Sequence, residues 1–498
     1  SKGMRDGRVI IVGAGIGGLT SALLLAARGL NVTVLERAAS PGGKMRLVND
    51  GDYAMDAGPT VFTLKRIFAE IFEEAGLDFD ALVPCTKANI LARHAWGPDE
   101  RLDLFADLDA SAQAIGEFAG AREADGFRAF CREAARVWRT VERPVVRAPR
   151  ANLLRMIAGA GLKGLPDLLA TSPFENLWHA LGRHFSDPRL RQLFGRYATY
   201  CGSSPFLAPA TLMLIAHVEQ DGVWMIEGGM HRLAQTFAQE AARKGATFHY
   251  NAHVQTIDMQ ESGGRVELSD GRVFEADAVI FNGDANALAQ GFAGDSIRDA
   301  APALSAKERS LSAITWTCAV ETSGFPLVRH NVFFSPDYGA EFKAIAQESI
   351  DYDPTVYICA QDRGDEDHAL GKRERLLILV NAPANGDRNN YNSEEIAACA
   401  AKTFRRLETC GLKITQPPSP ETITTPRGFN RLFPATGGAL YGRPTHGWQA
   451  TFKRPGVRSQ IPRLYLTGGS VNPGPGVPMA AMSGMTAAHC LMDDLISR

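Results

Sequence analysis

Three glycines and one acid carry the strongest chemical signal in the chain. Gly13, Gly15 and Gly18 fit G-x-G-x-x-G, and Glu36 follows Gly15 by 21 residues. In such a turn the first glycine permits the tight bend, the second lets a pyrophosphate approach the backbone, and the third packs a helix against a strand. Phosphate charge then meets the free N–H groups and the positive dipole end of the following helix. Glu36, closing the next strand, is suited to accept hydrogen bonds from a ribose 2'-OH. That chemistry is dinucleotide binding; the plainer alternative is an ordinary glycine-rich turn.

For these residues to meet, "RVIIVGAGIGGLTSALLLAARGLNVTVLER" must fold as strand, turn, helix and strand. Its nineteen uncharged residues from Val9 to Ala27 also raise a membrane span or a signal peptide. The glycines decide against both. Gly13, Gly15, Gly17 and Gly18 crowd the middle, and each would cost about 1 kcal/mol in a helix interior. A second apolar run, "NVTVLE", follows at once, and Gly29 is placed to stop the helix. The unit is βαβ.

Two more signals belong with it. In "GGK", Gly42 and Gly43 permit close backbone approach to a cofactor, and Lys44 with Arg46 could balance phosphate charge. Near the end, "RLYLTGGSVNPGPGVPMAAMSGMTAAHCLMDDL" reads as strand, glycine and proline loop, helix. A helix N-terminus near Met479, after glycines 468, 469, 474 and 476, could direct N–H groups at an electron-rich cofactor ring. A nicotinamide enzyme does not require such a loop.

A chain of 498 residues should divide into two or more domains. With 53 basic and 55 acidic residues, no net charge attracts nucleic acid. Eight scattered cysteines without a C-x-x-C pair give no disulfide framework and no metal site, so a reducing cytoplasm is expected. Ser1 to Gly3, ahead of Met4, read as a remnant of expression. The cofactor half is expected to be discontinuous, over 4–90, 225–300 and 420–498. A helical substrate and membrane region is expected over 91–224, and a mixed α/β substrate domain over 301–419. Within the helical part, residues 151–185 mix Leu, Ile, Met, Trp and Phe with widely spaced basic groups. Such a stretch suits a bilayer surface, or two amphipathic helices on a core.

The opening glycine turn, the "GGK", the "DAGPT" at 56–60, the "WMIEGGMHRLAQTFAQEAARKGA" and the closing "LYLTGGSVNPGPGVP" together resemble the bacterial phytoene desaturase family of carotenoid desaturases. The resemblance spans nearly the whole chain. Segments 357–364, 437–455 and 468–484 look most like the 1-hydroxycarotenoid 3,4-desaturases of purple photosynthetic bacteria. The family's closing T-H-P-G-x-G-[IV]-P differs here, because Val471 and Asn472 precede Pro473. The amine-oxidase pattern R-x-G-G-R-x-x-[ST] is only half met, with Ser40, Lys44 and Leu47 in its other places.

The resemblance implies an α/β, two-dinucleotide-binding-domain flavoprotein: a Rossmann-like FAD domain in an amine-oxidase-like architecture, with a mixed substrate domain and a helical membrane-associating insertion. FAD is expected to contact Gly13, Ala14, Gly15, Gly17, Gly18, Glu36, Arg37, Gly42, Gly43, Lys44, Gly58, Pro59, Thr60, Val254, Gly468, Gly469, Val477, Pro478 and Met479. The implied reaction takes a hydride from allylic C-4 of an acyclic carotenoid and a proton from C-3, with FAD as hydride acceptor and oxygen or a quinone behind it. The delocalised cation so formed acidifies its neighbouring C–H, so a weak base or water suffices and no catalytic residue is singled out. His231 and His446 are lone histidines of the kind that is more often structural.

The implied tunnel is apolar, with Trp178, Phe185, Trp224 and Trp316 as wall candidates, although plain core is the commoner role for such residues. The implied location is the cytoplasmic side of the inner or intracytoplasmic membrane, peripherally bound. Alternatives are phytoene desaturation at other bonds, a flavin amine oxidase, and a prenyl-binding chaperone of the same fold.

Overall fold

The computed structural model describes residues 7–151, 175–365, 372–442 and 453–497. The half expected to hold the cofactor is built on a parallel five-stranded sheet in the order Thr247–His249, Asn31–Leu35, Arg8–Val12, Ala278–Phe281, Leu464–Leu466. Three distant stretches of chain therefore meet in one sheet. Helix Ile16–Ala27 packs between helices Met230–Arg243 and Val477–Ile496, and every residue from Ile16 to Ala26 is buried. This explains its uniformly apolar sequence: a helix covered on all sides has no polar face. Two small residues set the crossing with the last helix. A Cβ on Gly484 would stand 2.1 Å from the Gly17 carbonyl oxygen, and Ser21 Oγ donates to the Gly484 carbonyl at 2.6 Å.

The second half is a mixed seven-stranded sheet, in the order Ile423–Thr424, Ser312–Val320, Glu374–Ala382, Val356–Ala360, His330–Phe333, Ile90–Ala95, Arg101–Phe105. Neighbours are antiparallel except His330–Phe333 beside Ile90–Ala95. The last two strands fall in the 91–224 region expected to be helical. Their alternating apolar residues, Leu91 and then Leu102 and Leu104, are buried, and the period of two suits a sheet rather than a helix.

Both faces of this sheet are covered. Val332, Tyr357, Cys359 and Leu377 face the helical region, whereas Trp316, Phe333, Ile358 and Ile378 pack toward helix Ser393–Thr409. In that helical region, helix Ala121–Val141 buries Phe127, Phe130, Ala134, Val137 and Trp138, one face at the helical repeat.

Of the stretch 151–185, residues 152–174 lie outside the described residues. Its remainder contains helix Leu177–His184, whose Leu177, Ala180 and Leu181, with the following Phe185, are buried. Those apolar side chains serve the core and not a bilayer. Among the described residues no helix is long and apolar enough to cross a membrane.

Candidate active site

The glycine turn lies where the strand order reverses, between Arg8–Val12 and Ala278–Phe281, at the carboxyl ends of both strands. A crevice forms there in open parallel sheets because the chain leaves the two strands in opposite directions. It opens here into a cavity of about 1290 Å³, larger than the roughly 300–1,000 Å³ of ordinary ligand pockets.

Most of the expected cofactor residues line this one space: Gly13, Gly15, Gly17, Glu36, Arg37, Gly42, Gly43, Lys44, Gly58, Pro59, Thr60, Val254, Gly468, Gly469, Val477, Pro478 and Met479. Ala14 and Gly18 do not. Ala14 is fully buried, and its N–H donates to Glu36 Oε1 at 2.8 Å. A Cβ on Gly18 would stand 2.3 Å from the Gly13 carbonyl oxygen, so Gly18 lets the helix close on its strand. Their part is to shape the turn, with no face toward the cavity.

Glu36 also accepts from the Ala38 N–H at 2.7 Å. Each carboxylate oxygen thus holds one backbone donor and keeps a second lone pair for a ribose hydroxyl.

Two helices begin on the cavity without a side-chain cap or an acid in the first turn: Ile16–Ala27 after Gly15, and Val477–Ile496 after Gly476. Their free N–H groups suit the anionic and electron-rich parts of a dinucleotide. The space before them is a cradle that side chains would fill. A Cβ on Gly15 would come 2.6 Å from Asn282 Nδ2, and one on Gly17 2.6 Å from Asn282 Oδ1. Gly42 pairs with Gly15 in a β-bridge, and a Cβ on Gly58 would meet the Lys44 carbonyl oxygen at 1.7 Å. The "GGK" and "DAGPT" segments are therefore locked against the turn.

Asn282 and Asp284 are site residues that the sequence reading missed. Thr467 Oγ1 donates to Asn282 Oδ1 at 2.8 Å, which ties the closing strand to the turn. Asp284 lines the cavity and faces Lys44: burial pushes the Asp284 carboxyl up and the Lys44 ammonium down, and each charge opposes the other's shift. Lys44 Nζ donates to the Leu440 carbonyl at 2.7 Å, so its charge is shared within the protein. The signal for both residues was "NGD" directly after the buried strand "AVIF", at the reversal point.

Asp56 of "DAGPT" and the glycines of "WMIEGGMHR" explain one another. Asp56 Oδ2 and Oδ1 accept from the Met230 and His231 N–H groups at 2.8 and 3.0 Å, capping helix Met230–Arg243. A Cβ on Gly229 would stand 2.4 Å from Asp56 Oδ2. His231 is buried there, away from the cavity. His446 lies outside the described residues. Asn472, in the departing position of the closing motif, donates through Nδ2 to the Val145 and Ala148 carbonyls at 2.9 and 2.8 Å. It fastens the last loop to the turn that follows helix Ala121–Val141.

Beyond the glycine turn the wall becomes apolar, with Trp138, Val141, Val146, Leu212, Leu377 and Leu379. None of Trp178, Phe185, Trp224 and Trp316 lines it. Trp178 packs on Phe206 with ring centres 4.6 Å apart, Phe185 stacks on Phe194 at 4.9 Å, and Trp224 lies under Lys65 at 4.3 Å. Trp316 has the wrong parity: it pairs with Ile378 on the far face, while its neighbour Thr315, paired with Leu379, faces the cavity.

One polar patch interrupts the apolar wall. Arg196, Tyr200, Glu219 and Tyr357 line it together. Burial pushes the Glu219 carboxyl up to about 7, against hydrogen bonding from Tyr200 and the charge of Arg196. Tyr357 Oη lies 2.7 Å from both Thr60 Oγ1 and His330 Nδ1. Burial takes His330 down to about 3, so its ring is neutral.

A family model described as flavin-containing amine oxidoreductase matches residues 16–492. The chain belongs to that family. Within it, the chain groups with the carotenoid desaturases. It is 52% identical to the hydroxyneurosporene desaturase of Rubrivivax gelatinosus, over 99% of this chain and 95% of that protein. It is 45% identical to the hydroxyneurosporene desaturase of Cereibacter sphaeroides, over 99% and 98%. A 1-hydroxycarotenoid 3,4-desaturase from a Flavobacterium species is 29% identical over 97% of this chain and 99% of that one. Among solved structures, cyclohexylamine oxidase from Brevibacterium oxydans matches with a TM-score of 0.57 at 15% identity, covering 99% of this chain and all of that one, which shows a shared fold. A dinucleotide turn in a flavin-containing family makes FAD the cofactor.

Proposed function

We propose that the protein is an FAD-dependent carotenoid desaturase that forms the C-3,4 double bond of 1-hydroxylated acyclic carotenoids. One observation carries this reading: the cofactor cradle and a long apolar wall belong to a single cavity of about 1290 Å³. A polyene has no charge to anchor it, so an apolar wall leading to the cofactor is what its binding requires. The relatives named hydroxyneurosporene desaturase support the hydroxylated substrate.

When bound, FAD supplies the two-electron acceptor that the protein's own side chains lack. Gly13, Gly15 and Gly17 with the helix after them would hold its pyrophosphate, Glu36 its ribose, and the helix beginning at Val477 its ring. Trp138, Val141, Val146, Leu212, Leu377 and Leu379 exclude water and align the polyene. In this reading one sheet belongs to a cofactor half and the other to a substrate half, and contact with a membrane surface would deliver a substrate that water cannot carry. Oxygen or a quinone is the reoxidant in this reading.

The test is incubation of the FAD-loaded protein in liposomes with 1-hydroxyneurosporene and, separately, phytoene, followed by chromatography with absorbance detection. A single added double bond in the hydroxylated substrate alone is expected. Turnover of phytoene would move the activity to other bonds, and amine turnover with peroxide release would replace the reading altogether.

A further inference from the structure

A hydrocarbon tunnel has no use for a guanidinium and a carboxylate, yet both stand in its wall. Arg196 begins the turn Arg196–Cys201, and its Nη1 donates to Tyr200 Oη at 3.1 Å. The guanidinium carbon lies 5.2 Å from the ring centres of Tyr200 and Tyr357. Among the described residues no carboxylate oxygen forms a salt bridge with Arg196. A guanidinium has five N–H donors and keeps its charge, so in an apolar wall most of these donors await a partner from the cavity. Glu219, only 6% exposed, accepts from Tyr197 Oη at 3.4 Å and from Tyr200, and a carboxylate with about four lone-pair sites still has room for one more donor. The wall thus offers a donor and an acceptor side by side.

The reading above supplies the matching group. A hydroxyl on C-1 is three bonds from C-3, so whatever grips it stands beside the carbons that react and therefore beside the cofactor. The patch has that location, because Tyr357 under Arg196 is hydrogen-bonded at 2.7 Å to Thr60, on the segment assigned to the cofactor. We propose that Arg196, Tyr200 and Glu219 read the terminal hydroxyl of the substrate, with Arg196 donating to its oxygen and Glu219 accepting its hydrogen, and so set C-3 and C-4 against the cofactor. The same patch rejects an unsubstituted chain end, which would leave a desolvated cation and acid unmatched. A 1-methoxy end accepts from Arg196 but has nothing to donate. This proposal rests on the desaturase reading and goes beyond it by naming the residues that select the substrate.

The experiment is a quenching titration of tryptophan fluorescence on the FAD-loaded protein, since Trp138 lines the cavity. It uses 1-hydroxy, 1-methoxy and unsubstituted acyclic carotenoids of equal conjugation, with the products of each followed in parallel. The native protein is expected to favour the hydroxylated ligand over the unsubstituted one by about 10- to 100-fold, the methoxy ligand falling between. Arg196→Met, Glu219→Gln and the milder Tyr200→Phe are expected to erase most of that ratio while leaving affinity for the unsubstituted chain equal or higher, with flavin absorbance retained. Equal loss of affinity for all three ligands, or no preference in the native protein, overturns the proposal. Preference in binding without any 3,4-product upholds the hydroxyl patch and sinks the desaturase reading, so the two failures are distinct.

Discussion

Replacing Gly15 by valine places a side chain where Asn282 Nδ2 already stands, 2.6 Å from the added Cβ, and in the path of a pyrophosphate. We expect Gly15→Val to lower FAD affinity at least about tenfold, read as loss of flavin absorbance after gel filtration, with far-UV circular dichroism unchanged. A normal flavin spectrum in the purified variant would remove the cofactor from this turn. Asp56 offers a different single-residue test, because its contribution is structural. Asp56→Ala uncaps helix Met230–Arg243 and leaves two backbone donors unpaired, for a loss of about 1–2 kcal/mol. The thermal midpoint should fall measurably with bound FAD still present, and an unchanged midpoint would contradict the capping role.

Individual residues also show what sequence alone disclosed. The glycines were legible because a tight turn and a close approach demand glycine at fixed spacing, whatever lies around them. Arg196 and Glu219 were not: 23 positions apart on separate elements, they form a patch only after the helical region folds over the sheet. Trp316 takes the commoner role of plain core for a simpler reason, since composition does not reveal which face of a strand is turned to the cavity.

At the level of elements, the closing helix Val477–Ile496 is held to helix Lys65–Glu74 by His489 Nε2 and Glu74 Oε1, 2.6 Å apart. The hydrogen bond to Glu74 raises the His489 pKa. A raised folded-state value means that the contribution is complete below the unfolded value of about 6.5 and disappears as pH climbs through the folded one. Both side chains are partly in solvent, 41% and 27% exposed, so the effect is small. Thermal melts of the native protein and His489→Gln should differ at roughly pH 6 and coincide at roughly pH 9. A gap that persists at the higher pH would assign the effect to packing instead of charge. The βαβ element was readable from its run of residues, whereas the pairing of His330–Phe333 with Ile90–Ala95 joins segments with no local cue.

For the whole molecule, contact with a membrane surface is the proposal to test. Helix Leu177–His184 buries Leu177, Ala180 and Leu181, so removing all of 151–185 would strip these from the core. Removing 152–174 alone spares that helix and tests the membrane proposal. We expect the shortened protein to keep its flavin and to stop floating with liposomes in a density gradient. Flotation equal to that of the native protein would place the contact elsewhere.

The cofactor sheet draws its edge strand Leu464–Leu466 from near the end of the chain, and the last helix closes on the first. During synthesis the glycine turn therefore leaves the ribosome long before its roof exists. A domain made from one continuous stretch folds as it emerges, N-terminal part first; this one waits for strand Leu464–Leu466 and helix Val477–Ile496. Helix Ile16–Ala27, buried along its length, gains one cover from Met230–Arg243 and lacks the other until Val477–Ile496 has been made, so the cofactor cradle is complete only then.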